Sequence, residues 1–120
     1  MIRAEINSRI APALTDLLAL TYGPLPVLER ELAGIEGIAE AYIFGSWAAR
    51  YSGDSGAIPN DIDVLIVGTT SLESLDEAVG RAEKALMREV NVRRISAKEW
   101  IEGSPFISTI KKNPHVKLNL

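Results

Sequence analysis

The sequence predicts a small α/β (α+β) fold: a mixed β-sheet of three or four short strands with helices packed mainly on one face. Two observations predict it. Three short apolar runs, Ile38–Phe44, residues 61–67 and Glu89–Ile95, have the length and composition of strands. Between and around them lie segments whose apolar residues recur at helical spacing, punctuated by Gly, Pro, Ser and Asp.

The elements follow in order. Over residues 8–22, Ile10, Leu14, Leu17 and Leu18 fall on one helical stripe, Ser8 is a suitable N-cap, and Gly23-Pro24 stops the helix. A second short helix is expected over 26–33, with Gly34 just past its end. After the strand Ile38–Phe44, Gly45-Ser46 breaks the pattern and 47–51 opens a helix, leaving 52–60 as a Gly/Ser/Asp/Pro loop. In 61–67, Ile62, Val64 and Ile66 face one side, and Asp61, Asp63, Leu65 and Val67 the other. Leu72, Leu75, Val79, Ala82 and Leu86 mark an amphipathic helix capped by Ser71. After the third strand, Ser96 with Glu99 forms a capping box, and Pro105–Lys112 is a final helix before an extended tail.

Composition narrows the function classes. An apolar fraction of 47% and a charged fraction of 24% are those of a globular domain. With no cysteine, disulfides, zinc-thiolate sites and cysteine nucleophiles are excluded, and a cytoplasmic setting is expected. The N-terminus lacks the apolar core of a signal peptide, and no stretch is long and apolar enough to span a bilayer. A net charge of −3 gives no global attraction to nucleic acid or to an anionic membrane.

Chemistry concentrates at two places. Gly45-Ser46 sits between a strand and a helix start, where unpaired backbone N–H groups attract phosphate. Glycine allows close approach to the backbone, and serine adds a hydroxyl donor. Asp61 and Asp63, two apart on a strand, share a face with Cα atoms ~6.5–7 Å apart. Two like charges in an apolar strand are costly unless a cation neutralises them, and a hard divalent ion such as Mg²⁺ suits oxygen ligands. The 52–60 loop is long enough to bring turn and carboxylates to one end of the sheet.

Ile43-Phe44-Gly45-Ser46-Trp47-Ala48-Ala49-Arg50, followed by Asn60-Asp61-Ile62-Asp63-Val64-Leu65-Ile66-Val67, resembles the minimal nucleotidyltransferases of the DNA polymerase β superfamily. The resemblance spans about residues 35–100 and implies a polymerase β palm-like fold. It implies that Gly45 and Ser46 hold the triphosphate, that Asp61 and Asp63 bind one or two Mg²⁺ ions, and that a nucleoside monophosphate passes from an NTP, ATP expected, to an acceptor. The family's Arg about four residues after the Gly is here Ala49, and Arg50 follows one step later as the candidate phosphate contact. At the family's third carboxylate stands Asn91, which can coordinate through its amide oxygen but cannot act as a base; Glu89 shares its strand face and is the candidate substitute. Antitoxin-type relatives modify or mask a helical toxin partner, so a protein acceptor is implied. The alternative is a catalytically impaired nucleotide-binding interaction or antitoxin module, which Asn91 favours.

Residues 1–34 are read as N-terminal helices and 35–120 as the nucleotidyltransferase domain, within one compact unit. The stripe of Ile10, Leu14, Leu17 and Leu18 serves either a homodimer or partner contact or the domain's own core. Trp47 either stacks on a base or packs against the sheet, Trp100 is core or interface material, and His115 is a surface residue. Arg93 and Arg94 point to opposite faces of their strand, so only one can face a phosphate.

Overall fold

The computed structural model describes residues 23–53 and 58–120. The expected helix over 8–22, and with it the stripe assigned to a dimer or partner contact, lies outside the described residues. The described elements are α1 (Leu25–Leu32), β1 (Ile38–Phe44), α2 (Ser46–Tyr51), β2 (Asp61–Gly68), α3 (Leu72–Leu86), β3 (Glu89–Ile95), α4 (Ala97–Glu102), α5 (Pro105–Lys112) and β4 (Val116–Lys117).

They form a four-stranded mixed sheet in the order β3-β2-β1-β4. β1 pairs antiparallel with both β2 and β4, while β2 and β3 run parallel, joined by α3. The parallel pair requires a crossover, and the amphipathic α3 supplies it.

The period-two alternation of β2 sorts its side chains between two cores. Ile62, Val64 and Ile66 lie in the main core with Ala41 and Ile43 of β1, Val27, Leu28 and Leu32 of α1, and Leu75, Ala78 and Ala82 of α3. Leu65 and Val67 lie on the other face, in a smaller cluster with Tyr42, Ile95, Ile107 and Ile110. Most helical packing is therefore on one face, and α5 covers part of the other. That partial cover leaves one end of the second face open, where Asp61 is exposed and Asp63 half-buried.

Local caps fix the starts of three helices. Ser71 Oγ accepts from Ser74 N, Ser96 Oγ from Glu99 N at 3.0 Å, and Ser104 Oγ from Ile107 N. Each satisfies one of the orphan donors of a first helical turn. Pro105 at the start of α5 sits where a missing N–H costs nothing. Among the described residues, no helix is long and apolar enough to cross a membrane.

Candidate functional site

Strand register assembles the site. Phe44 is the antiparallel partner of Asp63, so the turn that follows β1 begins beside the carboxylate. Asp63 is in turn the parallel partner of Asn91, and Asp61 of Glu89. Gly45, Asp61, Asp63 and Asn91 therefore gather at one end of the sheet from β2, β3 and the β1–α2 turn.

Gly45 has φ +72° and ψ −144°, a conformation that essentially only glycine occupies. A Cβ built on it would stand 2.7 Å from Asp63 Oδ2. The backbone disfavours any side chain, and a Cβ there would require the Asp63 carboxylate to shift. Directly after it, Ser46 begins α2, with Ala49 N closing the first turn on Gly45 O at 3.0 Å.

Asn91 bridges the carboxylates. Its Nδ2 donates to Asp61 Oδ2 at 2.8 Å and, more weakly, to Asp63 Oδ1 at 3.4 Å. Burial pushes the Asp63 carboxyl above its ordinary range, the Asn91 hydrogen bond opposes this, and the charge of Asp61 reinforces it.

A hard divalent cation fits this donor set: two carboxylates on one strand face, one of them desolvated, with an amide that can turn its oxygen inward. Asp61 and Asp63 are the residues that would hold it. Glu89, the candidate third carboxylate, does not complete the set. It lies in register with Asp61, but no group of three or more His, Asp or Glu side chains is placed to share an ion among the described residues. The rise along the strand puts it beside Asp61 and away from Asp63.

Beside the carboxylates, sharing Gly45 with them, lies a cavity of about 510 Å³. Phe44, Gly45, Ser46, Ala49 and Arg50 form one wall; Phe106, Thr109, Ile110, Asn113 and Pro114 form the other, with Pro59 between. Asp61 and Asp63 do not line it. The metal-type and cavity regions are neighbours joined by the Gly-Ser turn. Arg50 sits on the cavity wall, with its guanidinium 5.8 Å from the Trp47 ring centroid, one step from where the motif's Arg stands.

The remaining sequence candidates are also placed. Trp47 packs against the main core and does not line the cavity, so of its two readings packing is the one observed; its Nε1 is buried without a hydrogen-bond partner among the described residues. Trp100 stacks on Tyr42 at 5.0 Å in the second cluster. His115 is exposed, with Nδ1 2.8 Å from Asn113 O. Arg93 lies over Phe106 at 4.2 Å on the carboxylate face, while Arg94 donates to Thr70 O at 2.7 Å. The second cavity wall escaped sequence reasoning. The periodicity of Pro105–Lys112 indicated a helix, but only the tertiary packing turns Thr109 and Asn113 toward the Gly-Ser turn.

No protein-family model matches the chain, and no curated protein is significantly similar to it. Among solved structures it is similar to a candidate nucleotidyltransferase from Sulfolobus solfataricus, at 19% identity and a TM-score of 0.42, over 76% of this chain and 78% of that one. A likeness at that level carries no argument about chemistry, which stands on the geometry above.

Proposed function

We propose that this domain binds an NTP, ATP by expectation, with Mg²⁺, and transfers its nucleoside monophosphate to an acceptor. The observation that carries the reading is the meeting of Gly45 and Asp63: a side-chain-free turn stands against a partly desolvated carboxylate, beside a cavity of nucleotide size. The bound ion would neutralise triphosphate charge and stabilise the attacking and leaving oxygens. Asp61 and Asp63 hold it from one strand. The N–H groups of the Gly45-Ser46 turn and the Ser46 hydroxyl meet phosphate oxygens, and Arg50 adds positive charge from the same wall. Asp61, the more exposed carboxylate, is the group open to an incoming acceptor hydroxyl.

A specific observation supports a second reading, a nucleotide-binding module without transfer. Asn91 stands where the resemblance expects a third carboxylate, and it is already committed to both aspartates. The acceptor enters only through the resemblance, which implies a helical toxin protein.

Pyrophosphate release from ATP in Mg²⁺, with co-purified proteins as acceptors and Asp61→Asn/Asp63→Asn as control, separates the readings. Release that the control abolishes supports transfer. Binding without release supports the module.

A further inference from the structure

We propose that Asn113 and Thr109, on the α5 side of the cavity, select a nucleobase that carries an exocyclic amino group over one with a carbonyl in its place. This rests on the nucleotide reading of the site. With the triphosphate at Gly45 and Ser46, the rest of the cavity is left for the base. A volume of about 510 Å³ takes a nucleoside, and Phe44, Phe106, Ile110 and Pro114 offer the apolar surfaces that a flat ring covers.

The polar groups on that wall are biased toward accepting. Thr109 Oγ1 donates its single proton to Pro105 O at 2.9 Å, so only its lone pairs remain. Asn113 Nδ2 donates to Thr109 O at 2.7 Å, which commits one of its two N–H groups to α5, while no hydrogen bond among the described residues occupies Oδ1. Among the described residues no donor reaches either oxygen. Asn113 is also held through its backbone, by Asn113 N to Ile110 O at 3.3 Å and by His115 Nδ1 2.8 Å from its carbonyl. Two accepting oxygens on one cavity wall complement the 6-amino group of adenine. Against the 6-carbonyl of hypoxanthine they leave lone pairs opposed to lone pairs.

ATP and inosine triphosphate test this, because their bases differ at the exocyclic group. Both are titrated calorimetrically in Mg²⁺ into the wild type, Asn113→Ala and Thr109→Val, with inorganic triphosphate as the probe that lacks a base. In the wild type, ATP is expected to bind on the order of tenfold more tightly than inosine triphosphate. Asn113→Ala is expected to bring that ratio close to one with triphosphate affinity unchanged, and the isosteric Thr109→Val to reduce it. Equal affinity for the two nucleotides in the wild type, or a preference that survives both substitutions, overturns the inference while leaving the nucleotide site intact. Failure of all three probes to bind overturns the nucleotide reading itself, and the base selection with it.

Discussion

Gly45 and Asp63 stand in close contact: a Cβ on Gly45 would lie 2.7 Å from Asp63 Oδ2, so a methyl group there requires the carboxylate to shift. Two demands therefore fall on one glycine, a backbone at φ +72° and an empty volume against a carboxylate. Gly45→Ala is expected to cost about 1–3 kcal/mol from the backbone alone. Because the added methyl displaces Asp63, Mg²⁺-dependent ATP binding is expected to weaken by roughly tenfold or more. Thermal melting in chelator and nucleotide titration check both parts; a variant with unchanged melting and binding would contradict the role given to the turn.

Asp63 carries the cost of its own site. Its carboxyl is raised chiefly by burial, so folding favours its protonated form more than the unfolded chain does. Its contribution to stability is thus present at low pH and lost as pH rises through the folded-state value above the ordinary carboxylate range. At neutral pH the metal-free protein holds an unfavourable charge there. Asp63→Asn, which retains an oxygen to accept from Asn91, is expected to raise Tm by a few degrees in chelator and to weaken Mg²⁺-dependent ATP binding. Melting curves between pH 4 and 8, with and without Mg²⁺, measure both.

Asn91 is the stabilising counterpart. Replacing it with Asp removes the donor to Asp61 and Asp63 and adds a third negative charge. Asn91→Asp is expected to lower stability in chelator by about 1 kcal/mol, a value suited to an exposed hydrogen bond. Mg²⁺ should recover that loss and bind more tightly than to the wild type. Chelator-dependent and Mg²⁺-dependent melting of the variant give the two numbers.

Away from the site, Tyr42 donates to Glu40 Oε2 at 2.8 Å under the second cluster. Burial first, and then the Glu40 carboxylate, push its phenol up to about 12. A raised acid favours the protonated fold, so this contribution is complete below the ordinary tyrosine value of about 10 and is lost as pH rises through about 12. Tyr42→Phe is expected to cost about 0.5–1.5 kcal/mol at neutral pH and to flatten the alkaline loss of stability. Denaturant unfolding at neutral and alkaline pH checks this.

The strands were legible because period-two alternation in a half-covered sheet leaves little freedom of register. Asp61 and Asp63 had to share a face, and Arg93 and Arg94 had to part, as they do over Phe106 and at Thr70 O. The caps Ser71 and Ser96 were legible for an equally local reason. Contacts made by long-range register were not legible. Nothing near Gly45 in the chain says that Phe44 pairs with Asp63, and nothing near Asn113 says that α5 closes a cavity with Ser46. Asn91 was placed correctly on its strand, yet its hydrogen bonds to both aspartates needed the parallel pairing of β2 with β3.

The central claim is a nucleotide site built on Asp61 and Asp63, and calorimetric titration of ATP in Mg²⁺ into the wild type and Asp61→Asn/Asp63→Asn tests it most directly. The expected result is saturable binding by the wild type that chelator or the double substitution abolishes. Absence of binding, or binding of equal strength without Mg²⁺ and in the double variant, would contradict it.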